Sequence, residues 1–247
     1  KSNHIPDKVF LYGVQLSRDE LAGYLVGEGI SIESNRLSHL LIRAELEKII
    51  CSGSIKGNKQ TYTLLSDRVP VMRLLNREES LADLACRYFT SHGPATVKDF
   101  EWWSGLSAGD SKLALELIRT DFISEVMDGK IYWFKLDGNP HLHEHNEVFL
   151  LPSFDEFIIS YKDRTASLPA IVQRNAVSVN GIFYPVIVSG GKVIGTWKRS
   201  VIKEKVIITP EFFRAPTKQL FKMVVKASVL YGKFINKPVE IISDISV

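Results

Sequence analysis

Cysteine is scarce in this chain of 247 residues, which contains only Cys51 and Cys86. Both lie in apolar patterns of helical spacing, and two thiols do not make the disulfide framework of a small secreted domain, so we expect buried, reduced cysteines. No stretch approaches the roughly 18 apolar residues of a membrane span, and no basic segment followed by an apolar run stands at the start. The sequence therefore favours a cytoplasmic protein with neither a membrane anchor nor a secretion signal.

Two copies of a helix, helix and hairpin pattern follow one another along the first half of the chain. The first copy starts at Ser17 and reaches a turn that contains Gly53, and the second starts at Thr96 and reaches a turn that contains Gly129. The two starts are 79 positions apart and the two turn glycines are 76 positions apart, and such nearly equal separations are expected for a repeated module. This layout predicts a tandem winged helix.

Short polar residues mark four helix starts in these modules. Each stands three residues before an acid, in the pairs Ser17 with Glu20, Asn76 with Glu79, Thr96 with Asp99 and Ser107 with Asp110. At this spacing the first side chain can accept a hydrogen bond from a free amide of the first helical turn. We therefore predict helices that begin immediately after each of the four polar residues.

Cationic helix faces in both modules are candidates for contact with DNA. In the first module the predicted inward residues are Leu37, Leu40, Leu41 and Ala44, and the outward ones are Arg36, His39 and Arg43. In the second the predicted inward residues are Leu113, Leu117, Ile118 and Phe122, and the outward ones are Lys112 and Arg119. Such a face suits a major groove, with Lys56 and Lys59 of the first hairpin on phosphates. The alternative is a solvated surface, because Glu47 shares the first face.

The formal net charge of +3 conceals an uneven distribution along the chain. Residues 1–161 carry 17 Lys and Arg against 23 Asp and Glu, whereas residues 162–247 carry 14 against 5. A basic surface attracts phosphate groups without reading sequence, and this attraction weakens as salt is added. The distribution favours a polyanion as partner. A solvated basic face, or a patch matched to the acidic half of the chain, is the alternative.

The C-terminal part reads as a mixture of strands and one long helix. Strand-like runs lie at residues 147–151, 182–188, 192–197, 205–208 and 238–242, and turns lie at Asn180-Gly181 and Gly190-Gly191. A helix at about residues 217–234 carries Lys218, Lys222, Lys226 and Lys233 away from its apolar side. We predict an α+β protein with winged helices at 1–75 and 76–137 and a basic mixed α/β domain at 138–247. A distorted third winged helix is an alternative description of that domain.

Three histidines alternate in the segment His141-Leu142-His143-Glu144-His145. In an extended strand they would share one face, where a transition metal could bind. The spacing does not fit a His-Glu-x-x-His helix and no cysteine joins the group, so a polar linker explains it as well. We expect neither a metal nor a cofactor.

A group of acids and bases follows the first strand of the C-terminal part. Asp155, Tyr161 and Asp163 could line a cleft, and Arg164 could contact DNA. Paired carboxylates also serve as general acids and bases. The alternative is a structural cluster in which Arg164 pairs with Asp163 or Asp155, because apolar residues surround the group at helical spacing.

Aromatic residues next to cations give a further candidate contact with DNA. In Trp197-Lys198-Arg199 we expect the indole to stack on an exposed base and the two cations to contact phosphates. For the pair Trp102 and Trp103, we expect at least one indole to belong to the core.

Several motifs in this order resemble the AlkZ-like family of winged-helix DNA glycosylases. They are Arg43-Ala44-Glu45-Leu46, Arg87-Tyr88-Phe89-Thr90-Ser91-His92-Gly93-Pro94-Ala95-Thr96, Trp102-Trp103-Ser104-Gly105-Leu106, Leu150-Leu151-Pro152-Ser153-Phe154-Asp155-Glu156 and Gly195-Thr196-Trp197-Lys198-Arg199. The likeness covers most of the chain. It implies excision of purines alkylated at N7, or of cross-linked bases, from duplex DNA.

Members of this family are expected to use a Gln-apolar-Gln or Gln-apolar-Asp motif for catalysis, and that motif is missing here. The glutamines of the chain, each without the motif, are Gln15, Gln60, Gln173 and Gln219. The opening residues resemble the middle of a family member, so we expect a fragment that lacks roughly the first third. The catalytic residues are therefore unknown, and activity of this chain alone is in doubt.

Three classes of function stay open at this point. The first is the DNA-binding portion of an AlkZ-like repair glycosylase, acting as a monomer on double-stranded DNA in the cytoplasm, at the nucleoid. The second is a noncatalytic winged-helix protein or transcription regulator, which would show a sequence preference without activity. The third is an interaction module whose basic half docks an acidic protein.

Overall fold

The computed structural model describes residues 13–69, 74–135 and 147–242. It divides into two compact units, Lys1–Leu74 and Leu75–Val247, which are described in turn. The segment His141 to His145 lies outside the described residues. Among those that are described, no helix is long and apolar enough to cross a bilayer.

The first unit combines helices with a small antiparallel sheet. Its helices are α1 (Arg18–Gly27), α2 (Arg36–Leu46) and the short α3 (Leu65–Arg68). Its strands are β1 (Leu16–Ser17), β2 (Ile50–Ser52) and β3 (Thr61–Leu64), in the order β1–β3–β2. Ser17 caps α1 as predicted: its hydroxyl accepts from the Glu20 amide, and the Glu20 carboxylate accepts from the Ser17 amide at 2.6 Å.

An aliphatic core holds the first unit together. Its buried members are Leu16, Leu21, Leu37, Leu41 and Ile50. The predicted inward face of α2 is confirmed, since Leu40 and Ala44 are half-buried beside two of these leucines. Burying a leucine side chain stabilises a fold by about 1.5–3 kcal/mol, so the face that α2 turns inward is fixed by its leucines. The opposite face of α2, which carries the cations, is left to solvent.

The second unit begins with three helices and a hairpin. They are α4 (Arg77–His92), α5 (Val97–Ser104), α6 (Ala108–Ile118), β4 (Ile123–Met127) and β5 (Lys130–Phe134), with a 3₁₀ turn at Arg119–Asp121. The three predicted caps are confirmed, because Asn76, Thr96 and Ser107 each accept a hydrogen bond from the amide three residues on. The hairpin turn is formed by Asp128 and Gly129, both with positive φ.

The core of this part is aromatic, and it corrects the predicted inward face of α6. Tyr88, Phe89 and Phe100 are fully buried, and Trp103 is half-buried against them. Leu113 and Leu117 were expected inside, but they are 39% and 41% exposed. The buried residues of α6 are Ser111, Ala114, Leu115 and Ile118. The small side chains at 111 and 114 let α6 pack closely on α4, which turns the helix so that the two leucines face outward.

A five-stranded sheet with one long helix completes the second unit. The strands are β6 (Val148–Leu151), β7 (Val186–Ser189), β8 (Lys192–Val201), β9 (Val206–Phe212) and β10 (Val239–Ile241), in the order β10–β9–β8–β7–β6. Only β10 and β9 pair in parallel within this sheet. The helices are α7 (Glu156–Ile159), α8 (Gln173–Ala176) and α9 (Lys218–Phe234). The predicted strands and long helix are confirmed, with small shifts at their ends.

The mixed α+β class is confirmed, whereas the winged-helix assignment and the three domain boundaries stay predictions. Cys51 and Cys86 are free thiols and half-buried. The helical setting expected for Cys51 is wrong, because α2 ends at Leu46 and Cys51 lies in β2. Cys86 lies in α4, as predicted.

Candidate nucleic-acid interface

Helix α2 presents its cations to solvent in the first unit. Arg36 and His39 are exposed, and neither makes an ion pair within the described residues. Arg43 is also exposed, but its Nε donates to the Glu47 carboxylate one turn later at 2.8 Å. Such a pair on a helix surface is weak, so the Arg43 guanidinium can exchange it for a phosphate at small cost. The predicted cationic face is therefore present, with two of its three members unpaired.

The hairpin of the first unit holds its lysines by local hydrogen bonds. The Gln15 side-chain oxygen accepts from the Ser54 amide at 2.7 Å, and Lys56 Nζ donates to the Gln15 carbonyl at 2.7 Å. Lys59 Nζ lies 2.7 Å from the Asp19 carboxylate, which raises the pKa of Lys59. Lys56 and Lys59, the two residues predicted to contact phosphates, are both exposed. Gln15 anchors the loop between β2 and β3.

A polar cleft of about 290 Å³ lies at the base of this hairpin. Its walls are Gly13, Gln15, Gly53, Ser54, Thr63, Asp67 and Arg68. Asp67 accepts from the Gly13 amide at 2.9 Å, and Arg68 donates to the Ser52 carbonyl. Because its charged members already bond the backbone, the cleft stiffens the hairpin.

Helix α6 and the 3₁₀ turn that follows it carry the corresponding cations in the second unit. Lys112 and Arg119 are exposed, as predicted. Arg119 lies 3.4 Å from the Glu116 carboxylate, whereas Lys112 has no ion pair in the described part of the chain. With Leu113 and Leu117 also facing solvent, this surface of α6 is both basic and apolar.

A larger cleft, of about 450 Å³, lies between the start of α5, strand β5 and the loop after α7. It is lined by Thr96, Val97, Lys98, Asp99, Leu115, Lys130, Ile131, Trp133, Lys162 and Asp163. Three lysines, Lys98, Lys130 and Lys162, stand in this lining beside two acids, Asp99 and Asp163, so the net charge of the wall is only slightly positive. Two of the lysines are already engaged, since Lys98 pairs with Glu101 and Lys130 with Asp163.

The buried Asp99 connects two parts of the wall of this cleft, the start of α5 and the loop at residues 162–163. Its side chain accepts from the Thr96 amide at 2.9 Å and the Thr96 hydroxyl at 2.7 Å. The other carboxylate oxygen accepts from the amides of Lys162 and Asp163, at 2.9 and 3.2 Å. Asp99 therefore fixes the loop at residues 162–163 against α5.

Two tyrosines, the buried Tyr88 of α4 and the half-buried Tyr161, tie the same loop to α4. Tyr88 donates to the Ser160 carbonyl at 2.9 Å, and Tyr161 donates to the His92 carbonyl at 2.8 Å. Burial raises the pKa of both tyrosines, so both hydroxyls remain protonated donors. Of the residues predicted to line a cleft, Tyr161 thus lies behind the wall of the 450 Å³ cleft rather than on it.

The predicted acids have structural partners. Asp163 lines the larger cleft, and the hydrogen bond from Lys130 lowers its pKa, with further bonds from Thr165. Asp155 caps α7 by accepting from the Phe157 amide at 2.9 Å, away from that cleft. These bonds favour the structural alternative over a general acid and base pair.

Arg164 does not make the pairs expected for it with Asp163 or Asp155. Its Nε donates to the Ile158 carbonyl at 2.7 Å, and its guanidinium lies 5.4 Å from the Trp102 ring centroid and 5.0 Å from that of Phe183. Burial lowers the pKa of Arg164. Because Asp163 pairs with Lys130, the guanidinium of Arg164 packs on the rings of Trp102 and Phe183 and does not bind that carboxylate. Trp103 meets the expectation of one core indole, while Trp102 is 53% exposed.

The stacking role predicted for Trp197 is wrong. Its indole is only 2% exposed, and its Nε1 donates to the Leu151 carbonyl at 2.8 Å. Position 197 falls on the core side of β8, because alternate residues of a strand face opposite sides. Lys198 and Arg199 are exposed, but Lys198 pairs with Glu211 at 2.5 Å and Arg199 donates to the Tyr231 hydroxyl at 2.6 Å.

Sequence reasoning missed the groups that organise the larger cleft. Asp99 was recognised only as a capping residue, although its bonds to the amides of Lys162 and Asp163 cross more than sixty positions. No local pattern reveals such a contact. Lys98, Lys130 and Lys162 lie in separate elements, and only the fold brings them to one wall.

Comparisons with known proteins agree with this architecture. Residues 10–234 match a family model described as DNA glycosylase AlkZ-like. The interstrand DNA cross-link repair glycosylase of Streptomyces sahachiroi is 28% identical over 232 residues, covering 86% of this chain and 61% of that protein. The solved structure of the Streptomyces sahachiroi DNA glycosylase AlkZ is similar in fold, with a TM-score of 0.72 at 22% identity, over 98% of this chain and 69% of that one. The chain thus spans less than two thirds of the length of this curated relative.

Proposed function

Because this chain belongs to the AlkZ-like DNA glycosylase family, we propose that it is the DNA-binding portion of a DNA-repair glycosylase. Its target class would be purines alkylated at N7, or cross-linked bases, in duplex DNA. The observation that carries the proposal is the family match over residues 10–234, which is most of the chain. The chain spans only part of its curated relative, so we also propose, for the whole protein, the excision of such bases.

The exposed cations of α2 and α6 support binding to a duplex. In both cases a helix with basic residues that make no ion pair within the described ranges, Arg36 and His39 or Lys112, is followed along the chain by an antiparallel hairpin. A winged helix places its second helix in the major groove and its hairpin beside the backbone. We propose that both modules are winged helices of this kind.

The chemistry of the target explains why binding matters so much in such an enzyme. A purine alkylated at N7 carries a positive charge and is a good leaving group, so the enzyme chiefly positions a water and stabilises the sugar cation. The acids around the larger cleft are committed to the fold, since Asp99 accepts backbone bonds and Asp163 pairs with Lys130. We therefore assign holding of the duplex to this chain, and we give Asp99 and Asp163 no catalytic role.

We also propose that the protein acts as a monomer on double-stranded DNA in the cytoplasm, at the nucleoid. The basic balance of residues 162–247 supports this, because a cationic surface gathers DNA electrostatically before any specific contact forms.

Fluorescence anisotropy with labelled duplexes tests the proposal. Two duplexes of one sequence, one with a single N7-methylguanine and one without, and an undamaged duplex of unrelated sequence would be compared at two salt concentrations. We expect binding to all three that weakens steeply with salt, and tighter binding to the duplex with the lesion. Tight preference for one undamaged sequence, with no response to the lesion, would instead support the transcription regulator. No binding at low salt would contradict the proposal.

A further inference from the structure

Helix α9 has an unusual distribution of charge. Its 17 residues, Lys218–Phe234, include four lysines and no acid. Between these lysines, the residues that face the sheet are apolar or small. Val224, Ser228 and Gly232 are the buried ones. All four lysines are exposed, at positions 218, 222, 226 and 233. The charged residues on the solvent side of α9 are therefore all cations and form a basic strip, and the exposed apolar residues Val229, Leu230 and Phe234 lie towards its C-terminal end.

The first three lysines of this strip form a row. Residues four positions apart lie above one another on a helix, so Lys218, Lys222 and Lys226 share one line along α9. At 1.5 Å per residue the row covers about 12 Å along the helix axis. Each strand of a DNA duplex carries a phosphate about every 3.4 Å of the duplex axis, so the row faces about three to four phosphates.

None of the four lysines of α9 has a hydrogen-bonded or ion-pair partner within the described residues. Other lysines of this unit do have partners: Lys98 with Glu101, Lys198 with Glu211, Lys205 with Glu240, and Lys192 with the Ala166 carbonyl. Among the described lysines of this unit, Lys112, Lys135, Lys162 and Lys203 also lack a side-chain partner. Half of these eight lysines therefore lie on α9, and three of those four stand in one row.

The local rules of helix stability disfavour this arrangement. Like charges four residues apart repel, and a cation in the first turn opposes the helix dipole. The helices α1, α4, α5 and α6 all carry an acid in their first turn, whereas α9, which starts with Lys218, carries none, and neither does α2, which starts with Arg36. A local rule broken without a compensating contact inside the protein is expected at functional sites.

We propose that the Lys218–Lys222–Lys226 row of α9 binds the phosphate backbone of a DNA duplex. This inference rests on the proposed function and adds a contact surface to the helix and hairpin modules. Charge complementarity identifies the occupant, because a straight row of cations about 12 Å long can face a continuous line of phosphates on one strand. The row contributes affinity and orientation, and it does not read the base sequence.

Two triple variants with the same change in charge test the row. One is K218Q/K222Q/K226Q, and the matched control is K192Q/K205Q/K237Q, whose lysines bond other parts of the protein. Anisotropy with an undamaged duplex would be measured over a series of salt concentrations. For the α9 variant we expect binding at least tenfold weaker at low salt, and a log–log salt slope smaller by about 2.7, since each phosphate contact contributes about 0.9. The control should change affinity by less than about threefold.

The melting temperature separates binding from folding. Because the α9 substitutions remove repulsion within the helix, Tm of K218Q/K222Q/K226Q should be equal to or higher than that of the wild type. Equal losses of affinity in both triple variants, or no loss in the α9 variant, would overturn the inference while leaving the proposed function intact. A wild-type chain that binds no duplex at low salt would overturn both.

A membrane surface is the other polyanion that a basic helix can meet, and Leu230 and Phe234 of α9 are 58% and 84% exposed. Cosedimentation with phosphatidylcholine vesicles that contain phosphatidylserine addresses it. We expect weaker binding to these vesicles than to the duplex. Tighter binding to the vesicles, lost in K218Q/K222Q/K226Q, would overturn the assignment to DNA.

Discussion

The two helix and hairpin modules share a sequence pattern but differ in what surrounds their hairpins. In the first unit, β2 and β3 belong to a sheet with β1, and the loop between them is held by Gln15. In the second unit the hairpin packs on its own unit, because Trp133 and Ala95 exchange backbone bonds and Lys130 pairs with Asp163. The first hairpin therefore keeps its loop available for a ligand, whereas the second also serves to build the fold.

The cores of the two modules also differ in the side chains that form them. The first is a small aliphatic cluster, and the second contains Tyr88, Phe89 and Phe100 with several ring contacts among them. Aromatic pairs add about 0.5–1.5 kcal/mol beyond the area that they bury. The comparison indicates that repetition of a pattern predicts local structure, while the neighbours of each copy decide how that structure is used.

Replacing Asp99 by Ala should have the largest effect on the second module. Asp99 is 3% exposed and accepts from three backbone amides, and an unsatisfied buried donor costs about 1–3 kcal/mol. We expect the free energy of unfolding to fall by about 3 kcal/mol or more in urea titrations. The control, Asp83→Ala, removes an exposed pair with Arg87 and should cost at most about 0.5 kcal/mol. Similar losses in the two variants would contradict the role given to Asp99.

Gly129→Val should destabilise the hairpin of the second module by about 1–2 kcal/mol. Gly129 has φ of +72°, and no atom lies within 4 Å of the position that a Cβ would take, so the cost comes from the backbone, which a β-branched residue adopts poorly. The measurement is the shift in Tm by calorimetry. Gly109→Ala, in the open first turn of α6, is the control and should change Tm little. An unaltered Tm for Gly129→Val would mean that the turn is not formed as described.

Tyr88→Phe should remove a single buried hydrogen bond between α4 and the loop after α7. The Tyr88 hydroxyl donates to the Ser160 carbonyl, and losing it should cost about 1 kcal/mol in the free energy of unfolding. Tyr132→Phe is the matched control in the neighbouring hairpin, since the Tyr132 hydroxyl has no hydrogen bond in the described part of the chain. Equal stability of Tyr88→Phe and wild type would show that this bond does not hold the loop.

Asp163→Asn should change how stability depends on acid, with the smallest effect of the four. The bond from Lys130 lowers the pKa of Asp163 in the folded protein, so the ionised form stabilises the fold. This contribution is fully present above the ordinary Asp pKa of about 3.9 and is lost as pH falls through the lower folded value. Urea unfolding should therefore show a difference between wild type and Asp163→Asn that is constant near neutral pH and shrinks below about pH 4. A difference that grows on acidification would contradict this pair.

Local features of the sequence were sufficient for most of the elements. Caps at Ser17, Asn76, Thr96 and Ser107 marked helix starts, and Gly129 and Gly190-Gly191 marked turns, because these signals depend on a few neighbouring residues. The faces of α6 and β8 were harder to predict. Ser111 and Ala114 are small, which lets α6 turn them inward. The apolar ring of Trp197 suits a protein core as well as a stack on a DNA base, and sequence alone does not distinguish the two settings.

The surroundings of the candidate site depend on contacts that local sequence does not encode. Arg164 was expected to pair with a nearby acid, but Lys130, more than thirty positions away, takes Asp163, and Arg164 packs between Trp102 and Phe183 instead. Likewise, the four lysines of α9 were visible in the sequence, and only the structure distinguishes them from lysines that have partners. Charge composition thus predicted a basic region without identifying which cations are available.

Lysine acetylation with and without duplex DNA, followed by mass spectrometry, tests most directly that the chain holds DNA through its unpaired cations. We predict that the duplex protects Lys112, Lys218, Lys222 and Lys226 from acetylation. Lys98 and Lys205, which are paired with Glu101 and Glu240, should react equally in both conditions. Protection of the paired lysines alone, or no protection at low salt, would contradict the account.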